Sequence, residues 1–290
     1  MTKNVLAMHD LSGFGRCALT VIIPTLSALG VQVTPVPTAV MSTHTGGYDG
    51  FTFADMTDTM LPAAEHYSRL GLHFDAVYIG FLGGEAQLSI IDRIIGMNGT
   101  AFVLVDPVMG DDGQIYKTYT AAMCDGMRRL CKRADMITPN VTEACLLTDT
   151  EYRPFSGMDR RDAESYADTL LTKLGELCRG NVVMTGVEIS DGTVRSMGCA
   201  VKSQNGTELI MSPEECASYP GTGDIFASVL LGAMLTGDTL TDAARLAVDF
   251  THTVIRRTMD AGTPSRYGVL LEQSLTVLTE HYAEKANEEE

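Results

Sequence analysis

The chain has 290 residues, 45% of them hydrophobic and 20% charged, which is enough apolar content to bury a large core. Lys+Arg 21 against Asp+Glu 37 leaves a formal charge of −16, which argues against a broad nucleic-acid footprint or a polybasic membrane anchor. A polyanionic ligand would need local help from backbone N–H groups and a divalent cation, as a magnesium-bound nucleotide does. The seven cysteines, Cys17, Cys124, Cys131, Cys145, Cys178, Cys199 and Cys216, are scattered without a C-x-x-C pair or metal-finger spacing. Free thiols in a reducing cytoplasm are therefore expected, with Cys216 read as part of a mobile loop. The start into Val5-Leu6-Ala7-Met8 does not read as a secretory leader, so none is expected, and no apolar run approaches the roughly 20 residues of a membrane span.

Short apolar runs alternate with helical patterns along the chain. Val5 to Met8 reads as a buried strand, and Cys17 to Leu29 as the helix after it. Val31 to Val40 follows as a strand and Phe53 to Leu70 as a helix. Next come strand Ala76 to Ile79, helix Ala86 to Met97, strand Ala101 to Val105 and helix Thr120 to Cys131. Strand Met136 to Ile137, helix Ala163 to Leu177 and strand Val182 to Met184 complete the alternation. That order predicts a parallel sheet with crossover helices. Val194 to Lys202 and Glu208 to Met211 flank Gln204-Asn205-Gly206, a hairpin signal that predicts an antiparallel edge. Helices over Asp224 to Leu235, Leu240 to Thr258 and Val269 to His281 close the chain. Residues 1–283 are expected to form one domain, with 284–290 a frayed acidic tail.

Ligands of open α/β sheets sit beyond the carboxyl ends of the strands, so the polar residues there carry the chemistry. His9-Asp10-Leu11-Ser12-Gly13-Phe14-Gly15 follows the first strand but lacks the third glycine of a dinucleotide fingerprint, leaving a generic turn or a substrate loop. Thr43-His44-Thr45-Gly46-Gly47-Tyr48 follows the second, where a lone His44 is more often a loop or capping residue than a catalyst. Asp106-Pro107-Val108-Met109-Gly110-Asp111-Asp112-Gly113 suits water-mediated magnesium binding or a solvated turn. In Thr138-Pro139-Asn140-Val141-Thr142-Glu143, Asn140 and Glu143 read either as a capping box or, with Glu143 opposite Asp106, as holders of hydrated magnesium. Thr185-Gly186 is placed to meet a nucleotide phosphate.

Tyr219-Pro220-Gly221-Thr222-Gly223-Asp224 combines a flexible turn, a helix start and one carboxylate. As an ordinary loop it would simply start a helix. As a phosphate cradle, it would aim the unpaired N–H groups and positive dipole end of that helix at an anion, with Asp224 as base for an incoming hydroxyl. No lysine follows a glycine as in a Walker A loop, and no His-Arg-Asp catalytic loop is present.

Asp106-Pro-Val-Met-Gly-Asp111, Thr138-Pro-Asn-Val-Thr-Glu143 and Gly221-Thr-Gly-Asp224, in this order and at these spacings, resemble the ribokinase superfamily. Ser42-Thr43-His44-Thr45-Gly46 is similar to a stretch of its vitamin B6 kinase branch. The resemblance covers roughly residues 4 to 280. It implies a three-layer α/β/α sandwich with a mostly parallel central sheet and a small lid or edge extension, acting in the cytoplasm as a homodimer. It also implies ATP-dependent phosphorylation of the 5′-hydroxymethyl group of a B6 vitamer with Mg2+ accompanying the ATP, and leaves open whether a monovalent cation joins it. Asp224 matches the general base and Gly221, Thr222 and Gly223 the anion hole. Asp106, Asp111, Asn140, Glu143 and Thr185 match positions around the ATP phosphates, with Asp106 and Glu143 holding the metal largely through water. Asp10, Thr45 and Phe81 fall where the family contacts the pyridine ring. There the chain departs from the pattern, because pyridoxal kinases commonly have Ser at the Asp10 position and Tyr at the Phe81 position. A hydroxymethylpyrimidine kinase of thiamine synthesis would look similar, and a non-catalytic nucleotide- or pyridoxal-phosphate-binding protein is a more remote reading.

Overall fold

A computed structural model describes residues 2–117, 119–191, 194–203, 206–213 and 218–288. The turn expected at Gln204-Asn205 and the loop reading of Cys216 lie outside these described residues. Two compact units emerge, one of Met1–Ala101 with Glu215–Glu290 and one of Phe102–Glu214.

The first unit begins with β1 (Asn4–Met8), β2 (Leu11–Phe14), α1 (Leu19–Ala28), β3 (Gln32–Pro35), β4 (Ala39–Thr43), β5 (Phe53–Asp55), α2 (Thr57–Arg69), β6 (Ala76–Ile79) and α3 (Glu85–Met97). β1 lies between β3 and β6 and is parallel to both, with Val5 level with Val33 and Ala76. Val5, Leu6, Ala7 and Met8 are all fully buried, as a parallel strand covered on both faces requires. The run Val31 to Val40 is not one strand. Pro35 ends β3 and Pro37 follows it, removing ladder donors, and β4 joins a separate small sheet, parallel to β2 and antiparallel to β5. The helix expected from Phe53 begins only at Thr57, because Asp55 Oδ1 accepts the Thr57 N–H at 2.7 Å and sets the start there.

The second unit holds β7 (Phe102–Val105), β8 (Gly110–Asp111), β9 (Gln114–Ile115), α4 (Ala121–Cys131), β10 (Met136–Ile137), α5 (Val141–Leu147), α6 (Arg160–Gly175), β11 (Asn181–Asp191), β12 (Val194–Ser203) and β13 (Gly206–Pro213). β7, β10 and β11 are parallel neighbours, and β12 and β13 extend them antiparallel, as the hairpin signal predicted. β11 outruns the expected Val182 to Met184 because its register shifts between Thr185 and Val187. Gly186, at φ 73°, supplies the conformation that this bulge needs. β8 and β9 form a tight hairpin whose turn residues Asp112 and Gly113 both have positive φ, 48° and 72°.

The chain returns to the first unit with α7 (Thr222–Leu235), α8 (Leu240–Asp260) and α9 (Leu275–Glu288). Every residue from Ile225 to Ala233 is buried, so α7 is a core helix packed on all sides. Its contact with α1 is close: a Cβ at Gly232 would lie 2.6 Å from Leu29 Cδ1. The helix expected from Val269 starts later, after single 3-10 turns at Ser265–Tyr267 and Leu271–Gln273, and continues to Glu288. It is anchored by the buried carboxylate of Asp238, which accepts from His281 Nε2 at 2.6 Å and pairs with Lys285 Nζ at 2.9 Å. Among the described residues no helix is long and apolar enough to cross a membrane.

Candidate active site

Gly221 caps α7 in the left-handed conformation, at φ 84°, and puts Asp224 in the first helical turn. A Cβ on Gly221 would lie 2.3 Å from the Arg16 carbonyl oxygen and 3.0 Å from Cys17 Cα. The turn is therefore seated directly on the loop that joins β2 to α1. In that loop Arg16 and Ala18 adopt positive φ, 44° and 50°, without being glycine, a strained arrangement that the packing holds in place. Its effect is to aim the Ala18 N–H at Asp224 Oδ2, 2.8 Å away. The opposite carboxylate oxygen faces His9 Nδ1 at 3.7 Å. Cys17 is buried there too, and burial, then the charges of Asp224 and Asp10, push its thiol well above the usual range, so it stays protonated. Neither the Ala18 contact nor the His9 contact was anticipated from the sequence. The only local signal was the Gly13 and Gly15 loop.

Asp10 is buried and its Oδ2 accepts the Ser12 hydroxyl at 2.6 Å. Burial raises its carboxyl above the ordinary range, while the Ser12 bond opposes the rise. His44 serves as a loop clasp: its Nδ1 accepts the Gly46 N–H at 3.0 Å, which leaves Nε2 to donate to the Arg266 carbonyl at 2.9 Å. That clasp sets Thr45 in an exposed position, and a Cβ on the next residue, Gly46, would lie 3.9 Å from Pro220 of the glycine turn. Phe81 is half-buried, with its carbonyl accepting the Thr38 hydroxyl at 2.8 Å. The first unit thus groups the glycine turn, Asp224, Asp10 and the Thr45 loop.

In the second unit Asn140 and Glu143 form a complete capping box at the head of α5, with the Glu143 N–H donating to Asn140 Oδ1 and the Asn140 N–H to Glu143 Oε2. Glu143 Oε1 also accepts the Met109 N–H at 3.0 Å, and Asn140 Nδ2 donates to the Gly110 carbonyl at 2.9 Å. The cap therefore ties α5 to the segment after Asp106. Asp106 is buried and accepts the Thr138 hydroxyl at 3.1 Å. Thr185 bridges to Asn140, its N–H donating to the Pro139 carbonyl. Asp111 stands at the exposed end of the β8–β9 hairpin and accepts the Asp112 N–H.

Burial pushes the Asp106 carboxyl up to about 7. Burial, reinforced by the Asp106 charge, puts Glu143 well above the usual carboxylate range. Two interacting buried carboxyls are hard oxygen donors that a divalent cation would neutralise. Among the described residues no group of three or more His, Cys, Asp or Glu side chains could hold a metal; an Mg2+ at this pair would take most of its ligands from water. The sign of the pH effect follows. The Asp106 carboxyl, raised in the folded state, contributes stability while neutral and loses it as pH climbs from the unfolded value through about 7. Mg2+ should therefore raise the thermal midpoint more at about pH 8 than at about pH 5.5, and Asp106→Asn should flatten the difference. Differential scanning fluorimetry at the two pH values checks it, and an equal Mg2+ effect at both would count against the pair as holders.

A mostly parallel α/β fold with a glycine-led buried helix presenting Asp224, and no Walker loop, defines a small-molecule kinase of the ribokinase-like class. Residues 22–268 match the phosphomethylpyrimidine kinase family, and the chain belongs to that family. A pyridoxal kinase of Rubrobacter xylanophilus is 27% identical over 281 residues, covering 94% of this chain and 93% of that protein. The solved pyridoxal kinase of Lactobacillus plantarum is 29% identical and superposes with a TM-score of 0.88, covering 98% and 99% of the two chains. A Bacteroides thetaiotaomicron protein, provisionally assigned as a phosphomethylpyrimidine kinase and solved with pyridoxal, is 37% identical with a TM-score of 0.86 over 96% of each chain.

Proposed function

We propose that the chain transfers the γ-phosphoryl group of ATP to the 5′-hydroxymethyl oxygen of a vitamin B6 vitamer. The observation that carries this reading is the Asp224 carboxylate, held by the Ala18 N–H at 2.8 Å in the first turn of a helix led by left-handed Gly221. Asp224 accepts the hydroxyl proton as the oxygen attacks the γ-phosphorus. The bond to the β–γ bridging oxygen breaks, and ADP leaves. The N–H groups of Gly221, Thr222 and Gly223 hold the transferred oxygens at the positive end of α7. Asp106 and Glu143 would hold Mg2+ through water, and the ion would offset charge on the nucleotide phosphates. Asp111, Asn140 and Thr185 border the nucleotide. Asp10, Thr45 and Phe81 contact the acceptor. The pyridoxal kinases among its relatives, and the pyridoxal in the Bacteroides protein, support a pyridine acceptor. The free buried thiols accord with a cytoplasmic site.

The family match favours a second acceptor, hydroxymethylpyrimidine. Purified protein with Mg-ATP should release ADP faster with pyridoxal, pyridoxamine or pyridoxine than with hydroxymethylpyrimidine. Pyrimidine-only stimulation would select the second reading, and stimulation by neither would remove both.

Asp10 sets the choice among vitamers. Its buried carboxyl, steadied by Ser12, can pair with a ring N–H or a substrate amine. Asp10→Ser should lower kcat/KM for pyridoxamine relative to pyridoxal by about 10-fold, the size of one charge-assisted hydrogen bond. An unchanged ranking of the three vitamers would remove this role.

A further inference from the structure

His9 is the most conspicuous polar residue that the chemistry above leaves unused. It ends the apolar run of β1 and is completely enclosed. Among the described residues neither ring nitrogen has a hydrogen-bond partner, although leaving a buried polar group unsatisfied is costly. The ring has little room to move. Its Cε1, Nδ1 and Nε2 would lie 1.7, 2.2 and 2.4 Å from a Cβ on Gly80, and the ring meets Tyr78 edge-on with centroids 4.5 Å apart. Gly80 is thus the cavity that admits the imidazole, and Tyr78 is the wall that orients it. From this slot Nδ1 faces Asp224 Oδ1 at 3.7 Å, while the other carboxylate oxygen is already held by Ala18.

We propose that His9 is a positioning residue for Asp224: as the neutral Nδ1–H tautomer it closes onto Oδ1 and, with the Ala18 N–H on Oδ2, fixes the carboxylate in its ionised, hydroxyl-facing orientation. The distance to close is under an ångström more than an ordinary hydrogen bond spans, which a small rotation of the Asp224 carboxylate provides. Burial depresses the imidazole to about 3, so His9 is neutral at working pH and acts as a donor dipole rather than as a counter-ion. Cys17 lies within the influence of both Asp224 and Asp10, and His44 acts on Asp10. The Cys17 thiol is protonated and Asp10 accepts from Ser12, while Nδ1 is the His9 ring atom that faces Oδ1. A hydrogen bond to the charged form lowers a carboxyl's pKa. His9 therefore keeps Asp224 deprotonated toward acid pH, and its removal moves the acid limb of the rate profile upward.

The inference rests on Asp224 as the base, and the test separates the two. His9→Leu should lower kcat by about 10-fold or more, leave KM for ATP within about two-fold, and shift the acid limb of kcat/KM to higher pH. His9→Asn places an amide N–H where Nδ1 stood and should recover most of the rate. Gly80→Ala, which evicts the ring without altering any titratable group, should reproduce the His9→Leu profile. Independently of activity, 15N spectra of histidine-labelled wild type should show a protonated Nδ1 on His9, with a shift that moves in Asp224→Asn. An unprotonated Nδ1 would overturn the proposal, as would a folded His9→Leu protein with the wild-type kcat and acid limb. A wild type that phosphorylates no acceptor would remove the kinase reading and leave the spectroscopic contact to be judged by itself.

Discussion

Asp224→Asn should lower turnover by on the order of 10²-fold or more, the usual weight of a general base, while leaving ATP affinity and unfolding midpoint close to wild type. The fold is expected to survive because the amide oxygen can still accept the Ala18 N–H that Oδ2 accepts at 2.8 Å. An amide cannot take up the hydroxyl proton, so the loss should fall on kcat and not on KM for the nucleotide. Steady-state kinetics with a B6 vitamer, alongside calorimetric titration of ATP, resolve the two quantities. Turnover within a few-fold of wild type would remove Asp224 from the base role. A parallel collapse of ATP affinity would instead assign it to nucleotide binding.

Gly221→Ala should be nearly as damaging, for a steric reason. The residue sits at φ 84°, and its added Cβ would lie 2.3 Å from the Arg16 carbonyl oxygen. That neighbour is backbone in a loop already carrying two left-handed non-glycine residues, so it cannot swing aside as a flexible side chain could. Relief requires the Arg16–Ala18 segment to move, which withdraws the Ala18 N–H from Asp224. We expect a stability loss of about 2–4 kcal/mol and a fall in kcat of about 10²-fold. Gly223→Ala is the control. Its Cβ would meet nothing within 4 Å, so it should unfold like wild type, and any rate it loses reports on phosphate approach alone. A Gly221→Ala protein with an unchanged urea midpoint and turnover would refute the close-packing account.

Much of this arrangement was legible in the residues. β1 and β6 are continuous apolar runs because parallel strands are buried on both faces, and that pattern survives in one dimension. The antiparallel pairing of β12 and β13 was legible from the turn signal between them. The Asn140–Glu143 cap was legible because both partners lie within one helical turn. Errors arose where a local device overrode periodicity. Pro35 and Pro37 broke one expected strand into β3 and β4. Asp55 held the start of α2 at Thr57. Gly186 carried β11 through a bulge to Asp191.

The sequence by itself determined the fold class, the positions of the motif carboxylates and the glycine turn, because strand and helix periods, capping and turn chemistry act over a few residues. Only the tertiary structure decided what surrounds Asp224. Its contact with Ala18 spans 206 positions of chain, and the slot for His9 depends on the missing Cβ of Gly80 on another strand's end. Such contacts arise from packing one element on another, so no local pattern encodes them. They govern how the carboxylate is held.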